Sequence, residues 1–433
     1  MSEGGNLVVV GGLAAGLSAA SQVRRRDPRA VIDVFERSSH IAYGACGLPY
    51  FVGGRISNSD ELSVYSRDVF EQQRNINIHT QHDVERVDVA NKHVLVHDVV
   101  RDKKNLVEYD TLLLATGAEA LHLPVPGVEL DGVHLLRTMD DGIALRGQVE
   151  RNLRARQGAR GRAIVVGGGY IGLEVAEALK EAGVEVALVE SRPEVLSSVD
   201  SDLAGLVHDE LERNGISLHL GESVEEIVGV GQVEGVRTST GWLEADTVVV
   251  GVGVRPNTTL GIEAGTELGA GGAIRVDDHM RTSVPDVFAA GDCADTVHLC
   301  TGGRVYIPLG TTANKQGRVA GENIGGGARA FRGVLGTAIV KVFKRGVART
   351  GLCTEEARAV GWSPQVTTIR DRSRAHYYPG SAPVAVRLVT GPRGELLGGQ
   401  LVGPQDFLIR VNALAAAIQA ELTVGELREM DFA

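Results

Sequence analysis

Two copies of one local grammar constrain this chain more than any other feature. The first begins with the apolar run Asn6–Val10, passes through Gly11-Gly12, and continues as a helical pattern from Leu13 to Arg26. It returns as a second apolar run, Val31–Phe35, that ends on Glu36. The second begins at Ala163–Val166, turns through Gly167–Gly172 into a helix to about Ala182, and closes with Val184–Val189 ending on Glu190. Setting Gly11 against Gly167 places the copies about 156 residues apart. Strand, Gly-rich turn, helix and strand is the opening of a parallel α/β sheet.

A Gly-rich turn that opens a helix holds pyrophosphate for a physical reason. Glycines let the backbone approach the phosphates, and the unpaired N–H groups of the helix start meet their charge. An acid at the tip of the second strand accepts hydrogen bonds from ribose hydroxyls. The second copy is complete, with Gly167, Gly169 and Gly172 followed by Glu190. The first departs at one place, Leu13, which stands where the central glycine belongs; Gly11, Gly12, Gly16 and Glu36 are in position. Two Rossmann-like dinucleotide-binding units are therefore expected. Each is followed by a further strand: Thr111–Ala115 runs into Thr116-Gly117, and Thr247–Val250 runs into Gly251-Val252-Gly253.

Length and composition fit that architecture. A chain of 433 residues suggests two or three domains. With 43% hydrophobic and 23% charged residues it can bury a sizeable core. The net charge of −11 argues against a nucleic-acid surface or a polybasic membrane patch, Arg24-Arg25-Arg26 being a local exception. No charged and apolar leader precedes Asn6, and no apolar run reaches the roughly 18–20 residues of a membrane span. The cysteines Cys46, Cys293, Cys300 and Cys353 form neither a disulfide framework nor a CxxC pair, so no metal centre is expected and a cytoplasmic, reducing compartment is the simplest reading. Beyond about residue 330, alternating runs such as Ala338–Phe343 and Val384–Val389 with a helix at Arg410–Ala420 predict a mixed α+β domain.

A third signal lies at Val287–Asp295, where an apolar strand leads into Ala290-Gly291-Asp292. Alone, that aspartate reads as a helix cap. After two nucleotide units it resembles the motif in which an Asp hydrogen-bonds the ribityl chain of FAD. The helix near Gly310, with Thr312, Ala313 and Asn314, would then point its positive end at the flavin.

With these motifs in order, the chain resembles the pyridine nucleotide-disulfide oxidoreductases over nearly its whole length. The resemblance implies a discontinuous FAD domain at 1–118 and 247–326, an NAD(P)H domain at 119–246, and a dimerisation domain at 327–433. It implies FAD held by Gly11, Gly12, Gly16, Glu36, Ala115, Thr116, Gly117, Gly291, Asp292 and Ala313. NADH or NADPH falls to Gly167, Gly169, Tyr170, Gly172, Glu190 and Gly253, with Tyr170 as a gate over the flavin. Most of the family carries a CxxxxC redox pair. Here Cys46 stands alone, ten residues past Glu36, because position 51 is Phe.

Single-cysteine members reduce oxygen, peroxide or coenzyme A disulfide. The oxidases and peroxidases typically place a histidine in the first Gly-rich loop, where this chain has Ala14. The stretches Cys46-Gly47-Leu48-Pro49-Tyr50 and Ala375-His376-Tyr377-Tyr378-Pro379-Gly380 look like the coenzyme A disulfide reductase version. That resemblance implies a CoA site at Ser18, Gln22, Arg25 and Arg74, and CoA held as a mixed disulfide on Cys46. It implies Tyr377 as proton donor, placed by the second subunit of a homodimer. Ala42 and Ala45 replace side chains that hydrogen-bond CoA in some members. A helix start and the flavin face are expected to favour the Cys46 thiolate. Family members usually continue past the equivalent of Asp431-Phe432-Ala433 into a Tyr- and Pro-containing tail, so this sequence is expected to stop short. The alternatives are a CoA persulfide or polysulfide reductase, an NADH oxidase or peroxidase working through a Cys46 sulfenate, and a non-enzymatic redox sensor or electron-transfer subunit.

Overall fold

The computed structural model describes residues 4–155 and 161–432. Its first unit is a five-stranded parallel sheet in the order Val287–Ala289, Thr111–Leu114, Asn6–Val10, Val31–Glu36, Asn77–Thr80. The second repeats that arrangement in the order Ile216–Leu220, Glu185–Glu190, Arg162–Val166, Thr247–Val250, Val133–Leu135. In both sheets the strand before the Gly-rich turn is central, flanked by the strand that ends on the acid. These strands read as continuous apolar runs because both faces are covered: Leu7, Val9, Leu112, Leu113, Leu114, Val165 and Leu188 are fully buried.

The repeat extends further than the sequence reading anticipated. Each unit also carries a three-stranded antiparallel meander, His82–Asp88 to Lys103–Glu108 in the first and Val224–Val230 to Trp242–Glu244 in the second. Their alternating, half-exposed strands carry too many charges to announce themselves as apolar runs.

One expected boundary moves. Thr247–Val250 hydrogen-bonds to Arg162–Val166, so it belongs to the second sheet and not to the first unit's return. The chain crosses between units where Ala118–Ala120 pairs antiparallel with Val254–Pro256. A strand that ends one sheet and leads into a Gly-rich turn has the same sequence signature whichever unit it serves.

The third unit is a five-stranded antiparallel sheet, Ala338–Val342, Arg345–Gly351, Leu396–Gly403, Pro383–Thr390, Gln365–Arg372, backed by the helix Val411–Gln419. Its edge strand Gln365–Arg372 is exposed along its whole length. Among the described residues no helix is long and apolar enough to cross a membrane.

Candidate active site

Both Gly-rich turns have the same backbone. Gly11 adopts φ +113° and Gly167 φ +109°, and a Cβ there would strike the Ala115 and Gly251 carbonyl oxygens at 2.2 and 2.4 Å. Only glycine fits either place. The helices that follow, Ala14–Arg26 and Tyr170–Glu181, have no side-chain cap and no acid in their first turn, which leaves their leading N–H groups for an anion. The acids correspond too. Glu36 accepts from the Gly12 amide at 2.9 Å, and Glu190 from the Gly168 amide at 2.6 Å.

These features open on one cleft of about 2170 Å³ that all three units line. It contains Gly11, Glu36, Ala115, Thr116, Gly117, Gly291, Asp292 and Ala313 from the first unit. Gly167, Gly169, Tyr170, Glu190 and Gly253 line its other arm. Gly12, Gly16 and Gly172 lie behind this lining and shape the turns from within. The helix Gly310–Ile324, also without a side-chain cap, points its start into the cleft at Thr311, Ala313 and Asn314. It lies against Ala14–Arg26 at Gly317 and Gly321, where a Cβ would fall 2.3 Å from the Ala15 and Ala19 carbonyl oxygens. The uncapped helix starts, the paired acids and the cleft between them suit two dinucleotides.

Cys46 is exposed at the floor of this cleft, in the turn Ala45–Gly47 before the short helix Leu48–Val52. Backbone bonds hold its loop to the first Gly-rich turn, through Ala42 N–H to Gly12 O at 3.0 Å, and to the turn Ser59–Leu62, through Gly44 N–H to Leu62 O at 2.9 Å. The other three thiols are placed for packing. Cys293 is fully buried and donates to Leu114 O at 3.3 Å. Cys300 donates to Leu397 O at 3.3 Å, and burial pushes Cys300 and Cys353 each up to about 11.

The residues around Cys46 do not by themselves favour its thiolate. The surrounding protein raises its pKa, through burial first and then the charge of Glu174, with Arg137 opposing. The residue is exposed at the surface of the cleft, and partial desolvation and the like charge of Glu174 both oppose the thiolate.

The residues that the resemblance assigns to CoA gather at the first helix. Ser18 donates to Asn314 Oδ1 at 2.8 Å, and Gln22 to Glu322 Oε2 at 3.3 Å. Arg74 donates to Ser21 Oγ at 2.9 Å and lies over the Tyr65 and Phe70 rings. Ser18, Gln22, Arg25 and Arg74 all line the cleft. The Arg24–Arg26 triplet divides by role. Arg24 is spent on the carbonyls of Ala30, Arg74 and Asn75, and Arg26 pairs with Glu322. Arg25 has no hydrogen bond or ion pair among the described residues.

Tyr377 is not among the residues lining the cleft of its own chain; it is 78% exposed in the turn after Gln365–Arg372. Tyr170 bonds Ser198 Oγ through its hydroxyl at 3.1 Å. The sequence reading missed Arg137, which bonds Asp292, and Glu174, four residues after Tyr170 and so on the same helix face. That i, i+4 spacing was the available signal for Glu174. A group of metal-ligand type, Asp277, Asp278 and His279, lies on the surface outside the cleft.

Comparison with known proteins agrees with this geometry. The family described as pyridine nucleotide-disulphide oxidoreductase matches residues 5–317, and its dimerisation domain matches 337–433. The CoA-dependent NAD(P)H sulfur oxidoreductase of Pyrococcus abyssi is 37% identical over 99% of this chain and 93% of its own. An NADH oxidase of Methanocaldococcus jannaschii is 35% identical over 98% and 93%. The solved structure of reduced Bacillus anthracis CoADR-RHD superposes with a TM-score of 0.95 at 31% identity, covering 99% of this chain and 76% of that one.

Proposed function

Since the chain belongs to the pyridine nucleotide-disulphide oxidoreductases, enzymes that work with FAD and NAD(P)H, we propose that it reduces coenzyme A disulfide or CoA persulfide through one redox cysteine, Cys46. The observation that carries this reading is the position of Cys46: it alone of the four thiols faces the cleft, whose first-helix arm presents the unpaired Arg25 together with Arg74. A planar guanidinium fork suits the phosphates of a nucleotide-bearing thiol. Glycines 11, 12 and 16, Glu36, Asp292 and the 115–117 turn hold FAD, and the 167–172 turn with Glu190 holds the nicotinamide dinucleotide. When bound, FAD supplies the two-electron step between nicotinamide and disulfide.

The Cys46 thiolate attacks one sulfur of CoA disulfide, forming a Cys46–CoA mixed disulfide and expelling CoA thiolate, which takes up a proton. Two electrons and one proton, delivered as hydride from NAD(P)H, cleave the mixed disulfide to Cys46 thiolate and CoA thiol. Each turnover then consumes one disulfide, one NAD(P)H and one proton, and yields two thiols. Tyr377 of a second subunit donates a hydrogen bond or proton at the CoA sulfur. The chain works as a homodimer, its dimerisation domain supplying that tyrosine.

Oxygen reduction is the competing reading, favoured by the relative named NADH oxidase. Ala14, which lines the cleft, offers no imidazole beside the thiol. The test is anaerobic NAD(P)H oxidation against CoA disulfide, CoA persulfide, glutathione disulfide and peroxide. The CoA compounds should turn over at least about tenfold faster than the others, a discrimination of about 1.4 kcal/mol. Peroxide, or oxygen on admitting air, as the faster acceptor overturns the reading.

A further inference from the structure

The helices Ala14–Arg26 and Gly310–Ile324 run side by side in one direction, and their contacts fix a register. Their backbones touch where Gly317 meets Ala15 and Gly321 meets Ala19, and polar side chains flank that seam. Ser18 Oγ donates to Asn314 Oδ1 at 2.8 Å, and Arg26 pairs with Glu322 at 3.4 Å. Both pairs have a sequence offset of 296. Arg318 lies midway between Asn314 and Glu322, one turn from each, so the same offset sets it opposite Gln22. Ser18, Gln22, Asn314 and Arg318 all line the cleft, as does Arg25, three residues after Gln22.

The partners along the seam are taken by other groups. Gln22 donates its amide to Glu322 Oε2 at 3.3 Å, and Glu322 also pairs with Arg26 and, at 3.8 Å, with Arg329. Arg74 donates to Ser21 Oγ. Arg25 and Arg318 are both exposed, with no hydrogen bond or ion pair among the described residues. Helical spacing brings Arg25 to about 5–6 Å from Gln22 between Cβ atoms, and Arg318 faces Gln22 across the seam. The two guanidinium groups therefore command one stretch of the cleft wall. Like charges held there without counter-charge disfavour each other, and an anion set between them removes that cost.

We propose that Arg318 and Arg25 clamp the 3′-phosphate of the CoA nucleotide, which makes Arg318 a specificity-determining residue for a 3′-phosphorylated thiol. This rests on the CoA reading proposed above and narrows it to one part of the substrate. Charge matching selects the phosphate. A phosphate monoester carries close to two negative charges at neutral pH and three acceptor oxygens, enough to meet a guanidinium on each side. Each phosphate of a pyrophosphate bridge carries only about one charge and has fewer free oxygens. The 3′-phosphate is the monoester of CoA. A planar donor fork grips such a group where an ammonium would act only as a point charge. The pair reads the nucleotide end of the substrate and leaves the sulfur end to Cys46.

The test is calorimetric titration of CoA and of dephospho-CoA, which lacks the 3′-phosphate, into FAD-loaded Cys46→Ser enzyme. That background removes thiol exchange, and added NAD+ fills the second Gly-rich turn. At low salt CoA should bind at least about tenfold more tightly than dephospho-CoA. Arg318 is exposed, so Arg318→Ala should fold and keep its flavin. It should weaken CoA roughly tenfold and dephospho-CoA by less than about twofold, and Arg318→Lys should recover part of the difference. With Cys46 restored, Arg318→Ala should raise KM for CoA disulfide and leave kcat within about twofold. Equal affinity for the two compounds before Arg318 is changed, or equal weakening of both by Arg318→Ala, overturns the clamp. Failure to bind either compound would instead overturn the CoA reading, and the clamp with it.

Discussion

Arg137 donates from Nη2 to Asp292 Oδ2 at 2.9 Å, joining the segment after the second sheet's strand Val133–Leu135 to the turn that presents Asp292 to the cleft. Both side chains are largely buried, and Arg137 also bonds the Ala118 carbonyl at 3.1 Å. Burial raises the Asp292 pKa and Arg137 holds it down. Arg137→Met leaves that carboxylate uncompensated. FAD affinity, read by titrating apoprotein, should fall roughly tenfold, about 1.4 kcal/mol. The sign with pH follows: a carboxyl with a higher pKa protonates earlier on acidification, so the variant should release FAD at higher pH than wild type. Unchanged affinity and unchanged pH dependence would deny Asp292 its flavin role.

Glu190 is predicted to set the nicotinamide preference. Its Oε2 accepts from Gly168 and its Oε1 from the Arg192 amide at 2.9 Å, so the carboxylate is pinned at the tip of Glu185–Glu190. That placement accepts a ribose 2′-hydroxyl and repels a 2′-phosphate. Arg192, which also lines the cleft, offsets part of the repulsion. Steady-state kinetics should show NADH used well and NADPH tolerated, and Glu190→Ala should shift the ratio toward NADPH. An NADPH preference beyond about tenfold in the wild type would show that Arg192 dominates.

Arg25 is predicted to act on substrate binding alone. Its neighbours Arg24 and Arg26 hold the fold, whereas Arg25 is exposed to the cleft and unpaired among the described residues. Arg25→Ala should raise KM for CoA disulfide roughly tenfold, in keeping with the loss of one charge-assisted phosphate contact, and leave kcat within about twofold. The effect should shrink at high salt. An equal fall in activity toward a small disulfide lacking phosphate would count against a CoA site here.

The two nucleotide units were legible because their chemistry is local. A Gly-rich turn, the strand before it and the acid after it lie within about thirty residues and are set by backbone sterics. The place of Cys46 in the cleft was legible for a similar reason, as the lone cysteine of a short motif. The residues that tune the site were not. Arg137 reaches Asp292 across 155 positions of sequence, and Lys341 reaches Glu177 from another unit. Nothing in the residues flanking Cys46 announces that the charge of Glu174 will oppose its thiolate. The boundary at 247 failed because Thr247–Val250 carries the same apolar signature in either sheet.

Tyr377 tests the shared site. It is 78% exposed beside an exposed edge strand of the dimerisation domain, as a residue serving a partner should be. Tyr377→Phe should slow disulfide turnover without loosening FAD. Mixing inactive Cys46→Ser chains with chains inactivated at Tyr377 should restore roughly a quarter to a half of the activity, from heterodimers with one intact site. A fully active monomer in sedimentation, or no recovery despite subunit exchange, would place catalysis within one chain.

The most direct measurement compares wild type with Cys46→Ser in anaerobic NADH oxidation driven by CoA disulfide. Flavin binding is proposed to rest on the glycines, Glu36 and Asp292, so the variant should be folded, yellow and bleached by NADH. Its disulfide turnover should fall to no more than a few per cent of wild type, a loss of at least about 2 kcal/mol in transition-state stabilisation. Turnover above that level would contradict Cys46 as the redox centre.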